Sequence, residues 1–212
     1  MTSEHMRVGE RRPGGRSARV RADVLRATSG LLEDVGYDEL SMEDVAARAG
    51  VHKTTVYRRW PTKAELVFDA ISEQSAEAVP VPDTGNLVDD LQLLAREVVA
   101  NIGHPGRGRR SRSLVAAAAT SDEVADAMHA FWAQRLAASA AIVERAVERG
   151  ELPADADPHL IIESLIGPLW VRLLLTGEPI TDELADRVAA LVAAGATADP
   201  SEKISLRSAD RA

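Results

Sequence analysis

The sequence predicts an all-α protein of about nine helices, with an N-terminal three-helix helix-turn-helix domain and a C-terminal helical domain. Three observations carry this prediction. Apolar residues recur at the 3.6-residue helical period along most of the chain, and no run alternates as a half-buried strand would. Capping signals bracket the periodic stretches, with Ser41 before Asp44, Thr62 before Glu65 and Ser121 before Asp122 at starts, and Gly36, Gly50, Gly150 and Gly177 at ends. Finally, SMEDVAARAGVHKTTVYRRW (41–60) reads as two short helices around a glycine turn, the pattern whose second helix enters the DNA major groove.

Residues 1–16 are polar and rich in Gly and Arg, and are predicted to form a flexible basic arm. Arg11, Arg12 and Arg16 are either solvated or reach phosphates and an adjacent minor groove. The first helix follows from about Ser17 to Val35, with Val20, Val24, Leu25, Thr28, Leu31, Leu32 and Val35 in register, and it is scaffold. Within 41–60, Met42, Val45, Ala46 and Ala49 lie on one face, Gly50 makes the turn, and Val51 and Val56 anchor the second helix. That arrangement leaves His52, Lys53, Thr54, Thr55, Tyr57, Arg58 and Arg59 on the outer face.

Pro61 breaks that helix and Thr62 caps the next, which runs to about Ala78 behind Leu66, Val67, Ala70 and Ile71. Lys63 in its first turn opposes the helix macrodipole, unless a phosphate sits at the helix N-terminus; otherwise it is a solvated lysine. Val79–Asn86 is a Pro- and Gly-containing linker, so the domains are expected at 17–78 and 85–195. A helix over Leu87–Ile102 carries Leu91, Leu94, Ala95, Val98 and Ile102. Gly103–Ser113, with Arg107, Arg109, Arg110 and Arg112, reads as a basic loop and helix start, either solvated or an anion contact.

A short alanine-rich helix spans Leu114–Ala119, and the long helix from Ser121 to Gly150 has a stripe of Val124, Met128, Phe131 or Trp132, Leu136, Ala140, Val143 and Val147. Asp157 caps a helix with Pro158 at its first position. This helix, to about Thr176, is apolar nearly all round, which predicts burial on several sides and, in a chain of 212 residues, against a partner subunit. Its apolar run, Leu160–Leu175, is interrupted by Glu163, Pro168 and Arg172, and no membrane span is expected. Thr181 caps a last helix with Leu184, Val188, Leu191 and Val192, and residues 196–212 are predicted to be a disordered tail.

Charge is divided unevenly along the chain. Residues 1–63 hold 12 Lys and Arg against 9 Asp and Glu, a net of +3; residues 64–212 hold 13 against 24, a net of −11. A basic head on an acidic body directs the head to a phosphate backbone. There is no cysteine, and the first residues have no apolar stretch of the signal-peptide kind, so a cytoplasmic location is expected, nucleoid-associated when DNA is bound. The five histidines (5, 52, 104, 129 and 159) have no metal-ligand spacing, and no phosphate loop or nucleophile elbow occurs. The sequence therefore predicts neither an enzyme, a metal site nor a cofactor.

SMEDVAARAGVHKTTVYRRWPTKAEL, with the helix before it, resembles the tetracycline-repressor (TetR) family of bacterial transcription regulators over about Arg19–Ala78; VERGELP…DP…GP…TGEP is similar to one of its C-terminal subfamilies. The resemblance implies a homodimeric, ligand-responsive repressor that binds a palindromic operator in double-stranded DNA and is released by a small-molecule effector of apolar or amphipathic kind. It implies DNA contacts at Ser41, His52, Lys53, Thr54, Thr55, Tyr57, Arg58 and Lys63, with Arg16 from the arm, and a packing role for Trp60. The two recognition helices would lie about 34 Å apart, one turn of DNA. The effector pocket is expected at Val98, Ile102, Met128, Phe131, Trp132 and Trp170, where the alternative is plain core; His129 is either a polar contact there or a surface histidine. The dimer interface is expected at Val143, Val147, Ile161, Leu165, Leu169 and Leu173. The rival reading is an effector-independent activator or architectural DNA-binding protein.

Overall fold

A computed structural model describes residues 15–197, and among them it has nine α-helices, one π-helical turn and no strand. The head contains α1 (Arg16–Glu39), α2 (Met42–Arg48) and α3 (Lys53–Arg59), and α4 (Lys63–Ala78) leads out of it. The body contains α5 (Leu87–Gly103), α6 (Pro105–Ala118), α7 (Asp122–Glu148), α8 (Pro158–Val171), prolonged by the π turn Arg172–Thr176, and α9 (Asp182–Thr197). Residues 1–14, including Arg11 and Arg12 of the expected arm, and residues 198–212 of the expected tail lie outside the described residues.

Local chemistry explains most boundaries. Ser41 Oγ accepts the Asp44 N–H at 3.1 Å, Thr62 Oγ1 the Glu65 N–H at 3.2 Å, and Asp157 the His159 and Leu160 N–H groups. Gly36 has φ +83° and ψ −179°, a combination that only glycine takes readily, and it kinks α1 where the periodic stretch ends. Pro168 removes one N–H inside α8, and four residues later the helix widens into the π turn, closed by Gly177, whose N–H reaches Arg172 O at 3.0 Å.

Three expectations are corrected. The basic stretch 103–113 is not a loop: α6 begins at Pro105, a position where proline costs nothing, and carries all four arginines. α9 runs through Gly195 to Thr197, so residues 196 and 197 are helix rather than tail. Of the residues expected at the dimer contact, Val143, Ile161, Leu165, Leu169 and Leu173 are buried in the core of their own chain, together with Leu91, Ile142 and Ala185. Val147 packs partly buried against the same core. A side chain buried this way has no surface left for a partner. α8 instead exposes Leu160, Val171 and Leu175, the last at 80%.

By length and composition alone Pro158–Thr176 passes for a membrane-crossing helix, longer than the sequence stretch suggested, but its strongest stripe is packed into this protein core. The head's core does not stop at the 79–86 linker. Leu114, Ala117 and Val124 belong to the same buried cluster as Leu32, Val45, Val56 and Trp60, with Met128 and Phe131 packed against it. α6 lies along α1, where Ser113 Oγ accepts the Tyr37 N–H at 3.2 Å and Arg109 donates to Asp34 O at 3.3 Å.

Candidate nucleic-acid interface and ligand cavity

α3 is seven residues long, too short to hold itself together, and is fixed by burial of Val56 and Trp60. Between those anchors the outward positions stay open: His52, Lys53, Thr54, Tyr57 and Arg58 are exposed, and Thr55 is half-buried. His52 caps the helix without a side-chain bond to backbone; its ring Nδ1 lies 3.0 Å from Thr54 Oγ1. Tyr57 donates its hydroxyl to Glu43 on α2, at 3.1 Å to one carboxylate oxygen. Partial desolvation and then that carboxylate push the phenol's pKa up, so it remains a donor at neutral pH.

Trp60 is held as well as buried. Its Nε1–H donates to Asp69 on α4 at 2.9 Å, and the other Asp69 oxygen accepts from Arg21 on α1 at 2.6 Å, while Arg21 also pairs with Glu73. One carboxylate thus fixes the end of the recognition helix to both α1 and α4. Beside it lies an open cleft of about 730 Å³ lined by Arg16, Thr55, Arg58 and Arg59 among others, and no Asp or Glu. Arg16 starts α1 rather than ending a separate arm, and this brings it beside α3. Arg59, stacked 5.5 Å from the Trp60 ring centroid, was not singled out in the sequence as a contact; its place after Arg58 in the last turn was the available signal.

Two expected contacts are otherwise engaged. Ser41 Oγ caps α2 and donates to Asp44 at 2.6 Å. Lys63 Nζ donates to Tyr37 O at 2.9 Å and stands 4.2 Å from the Tyr37 ring centroid. The ammonium is thereby tied to the chain just past the α1 kink, which explains a cation in the first turn of a helix without any bound anion.

In the body, Val98, Ile102, Met128, Phe131, Trp132 and Trp170 all line one cavity of about 100 Å³ between α4, α5, α6, α7 and α8. His129 is exposed and does not line it. The aromatic rings form a chain: Trp170 meets Trp132 edge-on at 5.1 Å, Trp132 meets Phe131 at 5.5 Å, and Phe131 meets Phe68 of α4 at 6.2 Å. The sequence did not reveal the polar part of the wall. Arg110, only 3% exposed, donates to Gln74 of α4 and lies 3.6 Å from Glu33 of α1. Burial pulls its pKa down to about 10, with Glu33 opposing and Arg107 adding to the shift, so the guanidinium stays charged at neutral pH. Arg135, half-buried, donates to Val79 O at 2.9 Å, and its pKa is lowered by burial.

Comparison with known proteins agrees with this geometry. Residues 24–70 match the family model described as "Bacterial regulatory proteins, tetR family", and residues 81–192 match "Tetracyclin repressor-like, C-terminal domain". The chain is 34% identical over 180 residues to the HTH-type transcriptional regulator AqdR of Rhodococcus erythropolis, covering 85% of this chain and 86% of that one. It is 35% identical over 181 residues to the DNA-binding transcriptional repressor TetR of Mycobacteroides abscessus, covering 82% and 89%. Among solved structures, the TetR family transcription regulator SCO0332 superposes with a TM-score of 0.74 at 32% identity, over 84% of this chain and 98% of that one.

Proposed function

The chain belongs to the TetR family of bacterial helix-turn-helix transcriptional regulators, DNA-binding proteins rather than enzymes, and from that premise we propose that it is a repressor which binds a palindromic operator as a homodimer and is released by a small-molecule effector. The observation that carries the DNA-binding part is the exposed face His52, Lys53, Thr54, Tyr57 and Arg58 on a helix whose other side is buried, next to a cleft lined by Arg16, Arg58 and Arg59. Lys53 and Arg58 supply phosphate contacts or bidentate pairing with guanine, and His52, Thr54, Thr55 and Tyr57 supply polar and apolar contacts to base edges. Ser41 and Lys63 flank that face at the starts of α2 and α4 and border the phosphate backbone.

Dimerisation is supported by exposed apolar and small residues of the body. The outer face of α8 shows Leu160, Val171 and Leu175, and α7 beside it exposes Ala130, Ala133 and Ala137, whose small side chains let a second copy approach closely. Two-fold pairing there sets the separation of the two α3 helices, and the operator half-sites must match it. The effector occupies the cavity behind α4. A ligand that prefers a conformer with another α3 separation lowers DNA affinity by its differential affinity for the two conformers. This regulation belongs in the cytoplasm, on the nucleoid.

Footprinting on the promoter of its own gene tests the reading. The expected result is two protected half-sites related by a two-fold axis, their centres one helical turn, about 10–10.5 base pairs, or a multiple apart. A single unsymmetrical footprint rejects the homodimeric operator. A footprint that no cavity-binding ligand weakens favours effector-independent DNA binding instead.

A further inference from the structure

The cavity is apolar in most of its wall, but its charge is one-sided. Arg110 and Arg135 both line it, and no Asp or Glu does. In a chain of net charge −8 that is an unusual place to find two cations without a facing acid. Arg110 is partly balanced from behind by Glu33 and held by Gln74. Arg135 is not: among the described residues it pairs with no carboxylate, and one backbone carbonyl is its single hydrogen-bond acceptor. A guanidinium has five N–H donors, so most of its bonding capacity is unused within the protein. Desolvating such a group without a partner is unfavourable, and the downward shift of its pKa has that cause.

A fully buried donor is free nearby. Trp170 Nε1–H is shielded from solvent and has no acceptor among the described residues. Trp170 packs edge-on against Trp132, and Arg135 lies three residues after Trp132 on the same side of α7. The unmatched donors therefore sit on adjoining walls of one pocket, with the rings and Val98, Ile102 and Met128 forming the rest.

We propose that this cavity takes an organic anion with an apolar body, of the aromatic or medium-chain carboxylic acid class, its carboxylate held by Arg135 and the Trp170 indole N–H. The proposal rests on the reading of the cavity as the effector site and narrows the ligand within it. A cation is repelled by both guanidiniums. A neutral apolar molecule fills the space but leaves Arg135 unpaired and desolvated still further. An inorganic anion satisfies Arg135 but gains nothing from the aromatic walls while losing its hydration. Only a molecule with both parts satisfies both kinds of wall.

The test uses the full chain and matched probes: naphthoate and octanoate as acids, naphthalenemethanol and octanol as their neutral counterparts, and sulfate as an anion without an apolar body. Binding is read by quenching of tryptophan fluorescence and by thermal stabilisation. Each acid should bind about tenfold or more tightly than its alcohol, as expected for a charge-assisted hydrogen bond formed away from water. Arg135→Gln should bring acid and alcohol to about equal affinity while leaving the alcohol's own affinity unchanged, and Trp170→Phe should weaken the acids severalfold with the ring retained. Should Arg135→Gln fail to fold by circular dichroism, Arg135→Lys, which keeps the charge but not the planar fork, must show a reduced preference for the acid. Alcohols binding as well as acids, sulfate stabilising as much as the acids, or a preference unchanged in the Arg135 and Trp170 variants would each overturn the proposal while leaving the effector cavity standing. If none of the organic probes binds, the effector-site reading falls, and this inference with it.

Discussion

Replacing Gly36 by Ala puts the junction between α1 and α6 to a test in which even the sign is informative. Gly36 lies inside a stretch that is helical on both sides, and a glycine in a true helix interior gains about 0.5–1 kcal/mol of stability on becoming alanine. Its φ of +83° with ψ near 180° predicts the reverse, because that region is essentially closed to a residue with a Cβ and costs about 1–3 kcal/mol. Sterics add little: an added Cβ would stand 3.4 Å from Ser113 Cβ, an ordinary contact. The cost therefore resides in the backbone. For a chain of this size each 1 kcal/mol moves the melting temperature by about 2–4 °C, so Gly36→Ala should melt about 2–12 °C below the wild type. Ser113→Ala, which removes the acceptor of the Tyr37 N–H together with the hydroxyl's own bond to Arg110 O, should cost about 1–2 kcal/mol, and the double variant reports the coupling between the two. The assay is thermal and urea unfolding by circular dichroism at one fixed protein concentration, since the proposed dimerisation would make melting concentration-dependent. A melting temperature equal to or above wild type would refute the kinked geometry.

Three further outcomes are expected. Lys53→Ala and Tyr57→Ala should each weaken operator binding by about tenfold or more in gel-shift titrations, with unfolding and mass unchanged, and Lys53→Ala should flatten the log K against log salt slope by about one if it contacts a phosphate. Leu175→Glu, alone or with Leu160→Glu, should convert the dimer to a monomer by light scattering at micromolar concentration and leave the fold intact, because both side chains are exposed in the single chain; an unchanged mass would place the interface elsewhere. Arg110→Met should leave Glu33 and Gln74 without their buried partner and weaken the response of DNA binding to any cavity ligand, read as the ratio of operator affinities with and without it.

What the sequence could reveal depended on the range of the interaction that fixes each feature. The helix-turn-helix was legible because its signals are local: the Ser41 cap, the Gly50 turn and the Val45–Ala46–Val56 anchors all act within a few residues. The six cavity residues were legible for a different reason, since large apolar side chains on neighbouring helices have to converge somewhere. The arginine-rich first part of α6 was not read as helix because its helical state owes little to local pattern. Its sequence is arginine- and glycine-rich, and it is held by partners 36 to 77 residues away in the chain: Gln74, Glu33 and the α1 kink. Arg135 carries no local signal in the sequence for the same reason: its partner, Val79 O, lies 56 residues away. The dimer residues failed on a limit of periodicity itself. A stripe such as Ile161–Leu165–Leu169–Leu173 shows that a face is buried, but its own chain and a partner produce the same spacing. The exposed stripe is the weaker one, interrupted by Ser164 and Pro168.

Two routes of unlike chemistry join the cavity to the recognition helix, and both pass through α4. The apolar route is the ring chain from Trp170 through Trp132 and Phe131 to Phe68. The next residue on α4, Asp69, holds the Trp60 indole at the end of α3 and Arg21 of α1. The polar route is Arg110, which grips Gln74 further along the same helix and faces Glu33 of α1. α4 is thus fastened to the cavity wall at Phe68 and Gln74 and to the head at Asp69. Because packed interiors shift between discrete arrangements rather than deforming smoothly, in the proposed mechanism a ligand pressing on these walls moves α4 as a unit. In that mechanism Trp60 and α3 follow, since the Asp69 side chain ties Trp60 at the end of α3 to α4. In the proposed dimer the consequence is a change in the distance between two intact recognition helices, not the unfolding of either. A ligand-bound protein in that mechanism keeps its helical content by circular dichroism while losing the operator; loss of helix on ligand binding would contradict a rigid α4 lever.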